Sequence, residues 1–177
     1  KNPFVKEIIE VGNGKDDFSQ YSDFFDLSAV PSVVKRKPLF IHLDMSKTGD
    51  KTGISGVYII GKKPSVENVD SSRELFYQVA FSVSIKAPKG REISFDKNRT
   101  FIRWLRSQGF NIRGISADTY QSAQIMQQLT ADNFNVSTIS VDRVDRNTRQ
   151  CLPYSYLKST IYERRLVMYQ KCDLLTD

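Results

Sequence analysis

The sequence predicts an α/β fold, a mixed central sheet of about five strands or more flanked by helices. Three observations predict it. Three strand-like runs come first, at Leu39–Asp44, 54–61 and Glu74–Lys86. Helical and strand-like patterns then alternate from about residue 94 onward. The chain is 177 residues long, 40% hydrophobic and 26% charged, enough for one domain with a real core and ordinary for a globular protein.

Residues 1–37 read as a lead-in arm or linker, with one short helix at most. Turn signals (Gly12-Asn13-Gly14) mix there with acids and aromatics, and Pro31 and Pro38 bracket the basic stretch Lys35-Arg36-Lys37. Residues 38–177 read as the globular unit. A Gly-rich turn around Gly49 joins its first two strands. The polar stretch 62–72 is a loop. Leu75, Tyr77, Val79, Phe81, Val83 and Ile85 alternate through the third strand. Ala87-Pro88-Lys89-Gly90 turns the chain. Ser94 or Asp96 caps a helix reaching Gln108, with Phe101, Ile102, Trp104 and Leu105 inward and Gly109 as its stop. A fourth strand spans 112–118. A helix comes next at 120–129, with Ala123, Ile125, Met126 and Leu129 inward. A fifth strand runs over 134–141. A last helix covers 147–166, with Leu157, Ile161 and Tyr162 on its buried side.

Two of these strands end on a carboxylate. Phe40-Ile41-His42-Leu43 delivers Asp44, and Ile112-Arg113-Gly114-Ile115-Ser116-Ala117 delivers Asp118. Open α/β sheets place their ligands at the carboxyl edge. Two acids there can serve a hard divalent cation such as Mg²⁺, which takes oxygen ligands, and paired cations are common in phosphodiester hydrolysis. The structural alternatives are a turn cap for Asp44 and a helix N-cap for Asp118. Asp50 is an auxiliary ligand or a solvent-exposed turn residue. Asp142 approaches the same edge or pairs with Arg143 or Arg146. His42, the only histidine, shares a strand face with Asp44. It is a satisfied core histidine or a participant in the site. With a single histidine, no Ser-His-Asp or Cys-His triad argument gains traction.

The net charge of +6 suits a polyanionic partner. Lys86, Lys89 and Arg91, with Lys97 and Arg99 after them, can follow a phosphate backbone or simply be solvated. Cys151 and Cys172 lack metal-ligand spacing, so zinc is not expected. No apolar run approaches the roughly 20 residues of a membrane span, and the first residues lack a signal peptide's apolar core. An intracellular, non-secreted protein without a membrane partner is expected. Gly56 to Lys63 nearly spells a phosphate-binding loop, but Lys63 stands where Ser or Thr must hold Mg²⁺, so no ATP site is expected.

Several of these segments resemble one family. Phe40-Ile41-His42-Leu43-Asp44-Met45-Ser46 followed by Thr48-Gly49-Asp50-Lys51-Thr52-Gly53-Ile54-Ser55-Gly56 is similar to the first nuclease motif of large terminase subunits of tailed bacteriophages. Ile85 to Ser94, Gly114 to Ala123 and Ile139 to Arg143 also resemble that group. The resemblance implies a ribonuclease H-like fold and an endonuclease that cuts concatemeric viral DNA during genome packaging. It implies Asp44 and Asp118 as catalytic metal ligands for Mg²⁺ or Mn²⁺ in a two-metal site. A third acidic ligand is expected beyond Asp177, so the C-terminal part of the unit reads as incomplete. The implied partners are double-stranded DNA, a terminase ATPase domain, a small terminase subunit and a portal, in the host cytoplasm. Two alternatives stay open: a non-catalytic DNA-binding or docking module, and a ribonuclease H-like Holliday-junction resolvase.

Overall fold

A computed structural model describes residues 9–10, 25–45, 51–63, 74–86, 94–118, 122–140, 144 and 151–168. Seven strands form one sheet: β1 (Ile9–Glu10), β2 (Leu39–Asp44), β3 (Thr52–Lys63), β4 (Glu74–Lys86), β5 (Ile112–Ala117), β6 (Val136–Thr138) and β7 (Leu166–Val167). The helices are α1 (Ser32–Lys35), α2 (Phe95–Ser107), α3 (Ala123–Ala131) and α4 (Leu152–Tyr162), with a 3-10 turn at Leu27–Ala29. The strand order is β1-β4-β3-β2-β5-β6, and β7 also pairs with β4. β3 is antiparallel to both its neighbours, and every other pairing is parallel. Three strands in a meander, then two laid parallel to the first on its other side, give a mixed α/β sheet in ribonuclease H-like order.

Period-2 alternation gives the sheet two unlike faces. Leu39, Ile41 and Leu43 of β2, Ile54 and Tyr58 of β3, Phe81, Val83 and Ile85 of β4, and Ile115 and Ala117 of β5 are buried in one core. Phe101, Ile102 and Leu105 from α2 and Ile125, Met126 and Leu129 from α3 close it. Gly56 is required where Phe81 crosses β3: a Cβ there would lie 2.5 Å from the ring. The helices end in one way. Gly109 after α2 has φ 87°, and Asn133 after α3 has φ 61°. The next residues, Phe110 and Phe134, donate their amides back to Leu105 and Leu129 at 3.3 and 3.0 Å and bury their rings.

Several expectations change. The lead-in contributes to the core: Phe25 stacks on Phe101 with ring centroids 5.0 Å apart and meets Phe81 edge-on. β1 and β7 are two-residue strands whose existence depends on the edge of β4 rather than on local pattern. The last helix runs only from Leu152 to Tyr162, because Arg164 takes φ 55° and turns the chain into β7. Leu157, Ile161 and Tyr162 are 45%, 52% and 77% exposed, not buried. α4 meets the sheet through Tyr156 instead. Tyr156 Oη lies 2.8 Å from Tyr77 Oη, and Thr160 is buried. Burial and that neighbouring hydroxyl push the Tyr77 phenol up to about 12. Ala123 is exposed at the start of α3. β6 is three residues rather than eight, and the backbone at Ile139–Ser140 is no longer strand.

Candidate active site

From β2 the chain builds outward through β3 to β4, then returns to lay β5 and β6 on the opposite side of β2. The gap between β2 and β5 is therefore the point where the winding direction switches. In open α/β sheets the crevice beyond the carboxyl ends at such a point is where ligands bind. Both predicted acids stand there. β2 and β5 are parallel, with His42 opposite Ser116 and Leu43 opposite Ala117. Asp44 and Asp118 are the residues that follow this last pair, on neighbouring strands about 4.8 Å apart. Asp44 is exposed and Asp118 half-buried.

Residues just C-terminal to each acid anchor it. Met45 turns into the core, and its sulfur accepts a hydrogen bond from Asn98 Nδ2 of α2 at 3.8 Å. Asn98 is fully buried, and its Oδ1 has no hydrogen-bond partner among the described residues. The Asp118 carbonyl accepts from the buried Ser122 hydroxyl. Ser122 occupies the N-cap position of α3. Asp118 is not the N-cap, because the helix starts five residues after it.

The rung beneath the acids is polar as well. His42 Nδ1 lies 2.9 Å from Ser116 Oγ, bridging β2 and β5 on the acids' face. Burial pushes the His42 imidazole below its ordinary value, against the opposing pull of Asp44 and Asp118. Ser55 is opposite His42 on β3, and Ser82 is opposite Ser55 on β4. Gly53 is opposite Asp44 and Ser84 opposite Gly53. Small residues thus surround the acids toward β3 and β4. A Cβ at Gly53 would sit 3.7 Å from the Asp44 Cβ, so the position is open but close. Asn98, Ser116 and Ser122 escaped sequence reasoning. The one signal for Ser116 was its spacing two before Asp118, matching His42 two before Asp44.

Two carboxylates on neighbouring strands offer the hard oxygens a divalent cation takes. Among the described residues, no group of three His, Cys, Asp or Glu side chains stands ready to hold a metal ion. Asp50, Lys89, Arg91 and Asp142 lie outside the described residues. The Lys86 backbone ends β4, which runs parallel to β2, so β4 ends at the same edge of the sheet as the acids. Arg99 is committed elsewhere: its Nε and Nη2 donate to Asp132 at 2.7 and 2.8 Å, tying α2 to the end of α3. Among the described residues, no helix is long and apolar enough to cross a membrane.

No protein-family model and no curated protein matches this chain. Among solved structures it is similar to the large terminase nuclease from thermophilic phage G20c, with TM-score 0.49 and 14% identity over 75% of this chain and 58% of that one. It is similar to the HK97 bacteriophage large terminase, with TM-score 0.49 and 12% identity over 75% of this chain and 30% of that one. It also resembles the human cytomegalovirus terminase nuclease domain in a Mn-soaked, inhibitor-bound form, with TM-score 0.38 and 12% identity over 92% and 80%. All three are terminases, the family whose motifs the sequence resembles. The chain spans under two thirds of the first two proteins' lengths.

Proposed function

We propose that this chain is the nuclease unit of a large terminase subunit, a metal-dependent endonuclease that cuts double-stranded DNA during genome packaging. The observation that supports it most is that Asp44 and Asp118 each follow the Leu43–Ala117 pair at the switch point between β2 and β5. In this reading Asp44 and Asp118 hold Mg²⁺ or Mn²⁺. A divalent cation there supplies the Lewis acidity that activates water and stabilises the leaving 3′ oxygen. Asp44, exposed at its strand end, faces incoming DNA directly. Gly53 and Ser84 beside it leave room for a sugar-phosphate backbone. Lys86, Lys89 and Arg91 are assigned to that backbone, because β4 ends at Lys86 on the acids' edge. Such contacts bind phosphate without reading sequence, so cutting should be largely sequence-independent. Asp50 and Asp142 are auxiliary candidates. An ATPase domain, a small terminase subunit and a portal are the partners this reading implies.

The test is plasmid cleavage by the 177-residue chain with Mn²⁺, with Mg²⁺ and with EDTA, beside Asp44→Ala and Asp118→Ala. Cleavage should need a metal and fall in either variant by more than the roughly 10–100-fold that outer-shell partners are worth. Metal-independent DNA binding without cleavage would instead favour a docking module. Preference for branched junctions over linear duplex would favour a resolvase.

A further inference from the structure

We propose that the edge of the sheet opposite the acids is a second polyanion-binding surface, fitted to the phosphate backbone of duplex DNA. The inference rests on the proposed function only for its choice of DNA, and it uses neither Asp44 nor Asp118. Three observations carry it. The first is where the topology gathers positive charge. Leu39, the first residue of β2, pairs with Ile112 at the start of β5 and with Tyr58 of the antiparallel β3. The beginnings of β2 and β5 and the end of β3 therefore share one edge. About 17 Å of strand separates it from the edge where β2 ends on Asp44. Lys35, Arg36 and Lys37 lead into β2, Arg113 follows Ile112, Lys62 is next to last in β3 and Arg106 lies in the last turn of α2. Asn111 ties these segments together. Its amide donates to the Lys35 carbonyl at 2.9 Å and its Nδ2 to the Arg36 carbonyl at 3.0 Å. No Asp or Glu occurs in residues 27–43, 51–63 or 97–117, the stretches that supply these cations.

The second observation is that part of this surface is held in place before any ligand arrives. Lys35 Nζ lies 5.5 Å from the centre of the Phe110 ring, and the Arg106 guanidinium 4.0 Å from that of Phe134. Arg106 Nη1 also donates to the Asp132 carbonyl at 2.8 Å, and Lys37 Nζ to the Ile60 carbonyl at 3.3 Å. Cations fixed in this way lose less side-chain freedom on binding. The third observation is a bulge. Leu39 pairs with Ile112 but Phe40 pairs with Gly114, so Arg113 is left out of the ladder. A bulge re-aims the side chain it carries, and Arg113, like Arg36, is exposed. The rings of Phe110 and Phe134 beneath the cations are buried, so these residues present charge and no aromatic anchor. That suits phosphates, which a row of cations meets in many registers along a duplex. Protein partners draw their affinity from anchors packed into pockets.

The test is binding of a labelled duplex of random sequence to the 177-residue chain in EDTA, titrated with salt. Arg36→Gln/Arg113→Gln should weaken binding about tenfold and lower the slope of log affinity against log salt by about 2. Arg36→Lys/Arg113→Lys keeps both charges and should keep the wild-type slope. Denaturant unfolding of the two double variants should coincide, so lost charge and lost folding are told apart. With no metal present, the result does not depend on whether the acids cut, and failure of the nuclease reading leaves the test intact. Wild-type affinity and slope in Arg36→Gln/Arg113→Gln overturn the proposal, as does a wild type that binds no duplex. Poly-glutamate bound as tightly as the duplex at equal charge overturns the choice of DNA in favour of an acidic protein segment.

Discussion

The two faces of the central sheet are built from the same strands and do opposite work. One face carries Leu39, Ile41, Leu43, Ile54, Phe81, Val83 and Ile115 under α2 and α3. The other carries His42, Asp44, Gly53, Ser55, Ser82, Ser84, Ser116 and Asp118, none of them fully buried. Adjacent residues on β2 therefore belong to different problems: Leu43 is fully buried and Asp44 exposed. The apolar face fixes the position of the strands, and strand position places the carboxylates. A sheet with both faces apolar would have no room for the acids, and one with both faces polar would have no core to hold them in place.

The sharpest break of this comparison uses those two neighbours. Leu43→Ala should destabilise the fold by about 2–5 kcal/mol, the range for truncating a buried leucine. Asp44→Ala should change stability by under about 0.5 kcal/mol, as surface substitutions do, yet abolish metal-dependent cleavage. Denaturant unfolding and plasmid nicking, measured on both variants, separate the two faces. Equal stability losses would show that Asp44 is part of the scaffold.

Gly56 offers a second break, confined to the apolar face. Its added Cβ would lie 2.5 Å from Phe81 Cε1, and Phe81 is fully buried, so its ring cannot swing aside cheaply. Gly56→Ala should cost about 1–3 kcal/mol by overpacking. Phe81→Leu in the same chain should recover part of that loss. A double-mutant cycle with no coupling between the two positions would remove the steric explanation.

How far the sequence disclosed this comparison depends on the range of the interactions involved. β2 and β4 were legible to the residue, because alternation and strand-ending residues are local. The acids were legible as strand ends, but their place on neighbouring strands depends on β5 returning beside β2, a tertiary fact. Ser122 as cap in place of Asp118 depends on where α3 begins, which periodicity locates only approximately. β1 and β7 were invisible because two residues contain no period, and their partner is an edge. Leu157 and Ile161 were misread because an apolar stripe specifies a face without specifying what covers it. α4 is attached through Tyr156 and the nearby Arg165, whose guanidinium donates to the Leu75 carbonyl at 3.0 Å.

The helical cover of the apolar face has its own clamp, and pH addresses it. The hydrogen bonds from Arg99 hold the Asp132 carboxyl below its ordinary value, with Arg103 and Arg106 adding to the effect. A carboxyl depressed by folding contributes stability that is fully present above its unfolded value near 3.8 and is lost as pH falls through the lower folded value. Wild-type stability should therefore decline in that acid window, and Asp132→Asn should flatten that part of the profile. At neutral pH the same substitution should lower the melting temperature by a few degrees. Metal binding at Asp44 and Asp118 should be unaffected, since the clamp lies among the helices. Parallel acid profiles in the two proteins would show that this ion pair adds nothing to stability.

The smallest expected effect probes a polar group buried in the apolar face. Tyr58 of β3 is almost completely buried, and its hydroxyl has no hydrogen-bond partner among the described residues. Burial pushes the phenol's ionisation upward. A buried hydroxyl with no partner loses its water contacts without replacement, a cost of about 1–3 kcal/mol. Removing the oxygen while keeping the ring relieves that cost and leaves a very small void. Tyr58→Phe should therefore stabilise the fold by about 1 kcal/mol, raising the melting temperature by roughly 2–4 °C for a domain of this size. A second signature has a definite sign. The unfolded chain releases the phenolic proton near pH 10 while the folded chain retains it, so wild-type stability falls as pH rises above that point. The variant lacks this contribution, and its advantage should widen in alkali. A loss of stability at neutral pH would mean that the hydroxyl contributes to the packing of β2 against β3, and the division between the two faces would be less strict at Tyr58 than at Leu43.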